Sequence, residues 1–162
     1  MPVNKSNDFD KAKTRALKIL SYRDHSGGEL LQKLSKHFDE KTSEKALAWV
    51  REIGYQNDKK YAEKLAAVLI ESKHYGVRRA RWEMKQKGLS EDIIETALEA
   101  YNNDEIVGII TGIIERKYAD FLDDRPGVKK TVDALMRRGY DYSDIKTAVS
   151  RVKEDMEFEY NE

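Results

Sequence analysis

The sequence has no cysteine and only two prolines, Pro2 and Pro126. The first absence removes disulfides, thiolate nucleophiles and thiolate metal ligands, and it fits a reducing, cytoplasmic setting. The second leaves little to interrupt a helix. Long apolar runs are missing too. The longest is IVGIITGII, Ile106–Ile114, nine residues where a membrane-spanning helix needs about 20. The first residues, MPVNKSNDFDK, lack the apolar core of a signal peptide. No membrane association is therefore expected. Gly108 and Gly112 form a GxxxG pair, which marks membrane dimerisation only within a full span. Close helix packing in a soluble core is the expected use here. A dominant charge sign is also absent, because 30 basic residues balance 30 acidic ones. That balance disfavours a simple coat on duplex DNA, which is bound through a basic surface.

What remains is a helical pattern. Charged residues make up 37 % of the chain and hydrophobic ones 40 %, and the apolar ones recur at helical spacing almost throughout. Helices are expected over residues 8–22, 26–37, 42–53, 58–73, 76–87, from Ser90 to Tyr101, from Asn103, from Pro126 to Gly139, and over 142–157. Ser26 and Glu29 form a capping box. Gly54, Gly88 and Gly139 stand where helices stop. Pro126 suits a first helical turn. Gly76, Gly88 and Gly139 are all expected to serve turns through positive φ. No alternating strand pattern is present.

The helices repeat. KGLSEDIIETAL from Lys87 aligns with RGYDYSDIKTAV from Arg138 at a shift of 51 residues (139 minus 88 for the glycines). Gly76 falls on Gly127 and Met84 on Leu135 at the same shift. Phe38, Ala46 and Leu47 fall on Leu89, Ala97 and Leu98, while Leu30 and Leu34 fall on Ala80 and Met84 at a shift of 50. The expected architecture is all-α, with three tandem three-helix repeats in an elongated, curved arrangement. The units would cover 1–55, 56–102 and 103–162 and lean on one another for stability.

Catalytic constellations are missing. His25, His37 and His74 lie in separate segments, lack zinc-helix spacing, and read as lone surface histidines. Asp123 and Asp124 form an acidic pair in a loop, the usual solvated turn. Ser26-Gly27-Gly28 is neither a nucleophile elbow nor a phosphate loop. No cofactor or metal is expected, and the chain should act by binding as a monomer, not as an enzyme.

Charge is unevenly distributed. Between Lys73 and Lys87 stand six cations and a single acid, Glu83, whereas the tail KEDMEFEYNE from Lys153 is acidic. Such asymmetry orients a protein on a charged partner. Arg78, Arg81 and Lys85 share one helical face. Ala80 and Met84, with Trp82 near the edge, face elsewhere and can bury. Lys73, Arg78, Arg79, Arg81 and Lys85 are the expected contact residues, with Lys129, Lys130, Arg137 and Arg138 as their repeat analogue. Weak, salt-sensitive DNA contact is a further expectation. Tyr55, Tyr61, Tyr75, Tyr140 and Tyr142 could stack on bases, although their places at helix ends favour packing.

Four collinear segments between about residues 12 and 152 resemble the RecX family, bacterial regulators of the recombinase RecA. SYRDHSGGELLQKL from Ser21 is similar to R-x-x-S-x-x-E-L-x-x-K-L, through Arg23, Ser26, Glu29, Leu30, Lys33 and Leu34. GYQNDKKYA from Gly54 resembles G-Y-L-D-D-x-x-F-A, with Gln56 and Asn57 departing from Leu and Asp. KHYGVRRARWEMKQKGLS from Lys73 resembles K-x-Y-G-x-x-R-I-x-x-E-L-x-x-K-G-I. VKKTVDALMRRGYDYSDI resembles the family's closing helix-turn. The resemblance implies binding in the groove of the RecA–DNA filament, with restraint of its growth, ATP hydrolysis, strand exchange and repressor cleavage. Pattern residues need not be contacts: Glu29 reads as a cap and Asp58 as a helix-start residue. The alternative is a helical-repeat nucleic-acid-binding or adaptor protein unrelated to RecA.

Overall fold

Nine α-helices carry the chain in the computed structural model, which describes residues 4–160, and side chains as far as Glu157. They are α1 Phe9–Tyr22, α2 Gly27–Leu34, α3 Glu40–Glu52, α4 Asp58–Ala67, α5 Val77–Gln86, α6 Glu91–Leu98, α7 Asn103–Lys117, α8 Arg125–Arg137 and α9 Tyr142–Tyr160. A π-helical turn, Val68–Ser72, prolongs α4, and a 3-10 turn, Ala119–Phe121, follows α7. Among the described residues the only β pairing is an isolated bridge between Ser6 and Phe38, and no helix is long and apolar enough to cross a membrane. Pro2 and the last residues of the acidic tail lie outside the described residues.

Local chemistry starts and stops these helices. Asp8, Asp39 and Asp124 each accept an amide hydrogen from the first turn that follows. Ser26 with Glu29, and Asn102 with Glu105, form full capping boxes. Gly54, Gly88 and Gly139 have φ of 83°, 79° and 93°, the left-handed conformation expected of them.

The chain divides into two compact units. The first comprises residues 1–65 and 84–97, the second residues 66–83 and 98–162. In the first, Ala12, Ala16, Ile19, Leu30, Leu34, Ala46, Leu47 and Val50 form a core among α1, α2 and α3, closed by Phe38. In the second, α7 packs along α9, and Ile106, Ile110, Ile114, Leu135, Ile145 and Val152 are buried.

Four expectations change. His25 is no surface residue: it is 3 % exposed. Its Nδ1 lies 2.9 Å from the Arg23 carbonyl and its Nε2 lies 2.9 Å from Lys33 Nζ. Gly76 does not have positive φ. It is glycine because a Cβ there would stand 2.2 Å from the Gly139 carbonyl carbon and oxygen. Gly108 makes no close packing, since a Cβ there would meet nothing within 4 Å, and Gly112 faces only the Arg116 side chain. Ile106, Ile110, Ile113 and Ile114 of α7 bury, whereas Gly108 is exposed. Finally, the helix over 58–73 changes pitch: residues 68–72 are π-helical, and Leu69 and Ile70 are buried there.

Candidate interaction surface

Most of the expected contact residues lie in the second unit, around the start of α5 and along α8. The start of α5 is locked against the turn between α8 and α9. The Gly76 amide donates to the Arg138 carbonyl at 2.8 Å. The Tyr140 hydroxyl donates to the His74 carbonyl at 2.9 Å. Burial pushes the Tyr140 phenol up to about 12, with the Arg138 cation opposing. Arg138 itself donates from Nη1 to the carbonyls of Lys73 and His74, each at 3.3 Å. His74 adopts φ of 54°, rare for a residue with a side chain, and its carbonyl is thereby turned to receive these donors.

The cations nearby are partly engaged. Arg79 lays its guanidinium over the Tyr75 ring at 3.8 Å and approaches Glu83 at 3.7 Å. Lys73 lies 5.9 Å from the same ring. Arg78 pairs with Asp141 at 2.8 Å, both side chains more than half exposed, so the pair is of the kind that contributes less than about 1 kcal/mol. Lys73, Arg78, Arg79 and Arg138 are thus gathered within one neighbourhood. Arg81 is half-buried and Lys85 exposed, farther along α5. On α8, Lys129 pairs with Asp133 at 3.6 Å and Lys130 lies 4.9 Å over the Phe121 ring, while Arg137 is exposed near the helix end.

Ala80 and Met84 are fully buried as expected, but Trp82 is not: it is 58 % exposed. It follows Arg78 by four residues, so an aromatic ring shares the basic side of α5. The four-residue spacing from Arg78 carries that placement in the sequence itself. Of the tyrosines, Tyr140 is buried, Tyr61 bonds Glu29, and Tyr75 is covered by Arg79, whereas Tyr55 and Tyr142 are exposed.

A family model described as RecX, first three-helix domain, matches residues 12–49, and one described as RecX, second three-helix domain, matches residues 57–98. Regulatory protein RecX of Chlorobaculum tepidum is 32 % identical over 138 residues, covering 85 % of each chain. Its counterpart from Vibrio campbellii is 33 % identical over 146 residues, 89 % of this chain and 93 % of that one. The chain belongs to the RecX family. The crystal structure of RecX from Lactobacillus salivarius shares the fold, with a TM-score of 0.84 at 23 % identity over 91 % of this chain and 97 % of that one.

The RecX pattern residues of the first unit hold structure. Arg23 binds Glu29 at 2.7 Å and the Tyr61 hydroxyl donates to Glu29 at 3.0 Å. Burial pushes the Glu29 carboxyl up, but these bonds and the Ser26 amide outweigh it and hold it below the ordinary carboxylate value. Asp58 does more than start a helix: it accepts from the Gly27 amide at 2.8 Å and from Gln56 at 2.7 Å. Gln56, which replaces the pattern's Leu, is buried yet satisfied, since it also accepts from Arg51 and donates to the His25 carbonyl.

Proposed function

We propose that this RecX-family chain is a modulator of a RecA-type recombinase. It binds the RecA–DNA filament and restrains filament growth, ATP hydrolysis, strand exchange and coprotease activity. The observation that carries this reading is family membership, which rests on both three-helix domain matches and on relatives above 30 % identity across most of their length. The chain would act as a cytoplasmic monomer without catalysis of its own, built of three-helix units over 1–55, 56–102 and 103–162.

The basic side of α5 and its approach are the proposed contact, through Lys73, Arg78, Arg79, Arg81 and Lys85. Lys129, Lys130, Arg137 and Arg138 on α8 supply further positive charge. The exposed Trp82 beside these cations supports the choice, because aromatic and arginine side chains dominate binding energy at interfaces. Arg138, tied to two carbonyls, would act chiefly by holding the α5 approach in place.

The test is direct. Adding the protein to RecA on single-stranded DNA should slow ATP turnover and strand exchange. No change at near-stoichiometric protein would reject the reading. The triple variant R78E/R81E/K85E should lose filament binding with unchanged helicity, and full inhibition by that variant would reject the surface.

A further inference from the structure

We infer that a cationic cleft of the first compact unit, between α1 and α2, is a binding site for single-stranded DNA. The cleft has a volume of about 630 Å³. Arg15, Lys18, Ile19 and Tyr22 form its α1 wall, at spacings that keep them on one helical side. Lys33 from the last turn of α2 and Lys36 and His37 from the turn after it, with Arg23 and His25 between the helices, complete it. None of these lining side chains is acidic.

Apart from Arg23, which pairs with Glu29 at 2.7 Å, the charges there are not cancelled locally. Among the described residues no ion pair reaches Arg15, Lys18 or Lys36. Glu29 is taken up by Arg23 at 2.7 Å and Asp24 by Lys64 at 3.0 Å. Lys33 rests on the Nε2 of His25 at 2.9 Å, which requires that ring to be an acceptor and hence neutral. His25 is accordingly held below its ordinary value, first by burial and then by the charges of Arg23 and Lys33, against the Arg23 carbonyl bond. A strip of like charge inside a concave wall focuses potential toward an anion.

The shape selects the kind of polyanion. Tyr22 is 77 % exposed at the cleft, so its ring can take a base. Stacking on an aromatic face next to a positive groove is how single strands are held without sequence preference. Arg15 and Lys18 are three residues apart, about 4.5 Å along the helix, a spacing that successive phosphates of a flexible strand can follow. A duplex has no unstacked base for Tyr22 and would reach only the rim. The site shares no residue with the contact proposed on α5, and it does not depend on the RecA reading.

The experiment is fluorescence anisotropy with a labelled oligothymidylate of about 20 nucleotides and the full chain, without RecA, over a range of salt. Wild type should bind, with affinity falling steeply as salt rises. R15E/K18E/K36E should bind at least about tenfold more weakly than R78E/R81E/K85E, which carries the same change in net charge. Its log–log salt slope should be shallower by about 2, as expected for three lost single-strand phosphate contacts. Tyr22→Ala should weaken binding by about 5- to 150-fold, and Tyr22→Phe should restore it. Should the Glu triple fail to fold by circular dichroism, R15Q/K18Q/K36Q carries the same comparison. The proposal is overturned if wild type does not bind the oligonucleotide, or if the two charge-reversed triples bind it alike. It is equally overturned if Tyr22→Ala binds as wild type, or if the α1/α2 variant loses only binding to RecA protein free of DNA.

Discussion

The start of α2 in the first unit and the start of α5 in the second are joined to their neighbours in corresponding ways, by different atoms. Ser26 aligns with Gly76 at a shift of 50 residues, and Lys87 with Arg138 at a shift of 51. At the first joint the Ser26 hydroxyl donates to the Lys87 carbonyl while also capping α2 through the Glu29 amide. At the second joint there is no side chain, and the Gly76 amide itself donates to the Arg138 carbonyl. The backbones therefore come closer. A Cβ on Gly28 would stand 3.1 Å from the Gly88 carbonyl oxygen, whereas one on Gly76 would stand 2.2 Å from that of Gly139. Tyr140, Arg138 and Arg78 add bonds that the first joint lacks. One structural connection thus tolerates a side-chain donor or a bare amide, and the choice decides how much room the joint leaves.

The strongest break in that comparison is Gly76→Ala. Its methyl has only backbone to displace, so a loss of about 3 kcal/mol is expected, against about 1 kcal/mol for Gly28→Ala. Urea unfolding of the two variants beside wild type would show it, and equal losses would contradict the difference in spacing.

Ser26→Ala comes next. It removes a helix cap and leaves the Lys87 carbonyl without its donor, for about 2 kcal/mol in total. A variant within 0.5 kcal/mol of wild type, roughly the scatter of a neutral surface change, would mean that the hydroxyl is replaceable.

Acid should separate the joints as well. His25, next to the first joint, has its folded value depressed below about 6.5, so the unfolded chain takes up the proton first. Stability from this group is complete above pH 6.5 and declines as pH falls from there toward the folded value. Thermal melts between pH 5 and 7 should show the decline, and His25→Gln should flatten it. A slope unchanged in that variant would place the acid sensitivity elsewhere.

The smallest effect distinguishes a glycine that is needed from one that is not. Gly108 lies on the outside of α7 with open space where a Cβ would go. Gly108→Ala should stabilise the protein by about 0.5–1 kcal/mol through helix propensity. A raised melting temperature checks it, and a lowered one would mean that the outer face of α7 is in use.

The residue pattern alone carried the helices, the Ser26–Glu29 capping box, the stop glycines and the repeat. Those features depend on neighbours three or four positions away, or on a glycine or capping side chain acting where it stands. It also carried the membership in a family, because Arg23, Ser26, Glu29 and Asp58 stand in order at the spacings of the family's motifs. Other features required distant segments to meet. Gly76 looks like any turn glycine until the Gly139 carbonyl is found against it. His25 looks like a surface residue, and Gln56 like a mere departure from the pattern's Leu, until Arg51, Asp58 and Lys33 are found bonded to them. The GxxxG pair looks like a packing surface until open space is found where a Cβ of Gly108 would go. The cations of α1 and α2 were unremarkable singly and became a cleft once α1 and α2 were placed side by side. Periodicity tells which residues share a face, and tertiary packing assigns what that face meets, because a helix of given sequence can bury or present the same stripe depending on the partner beside it.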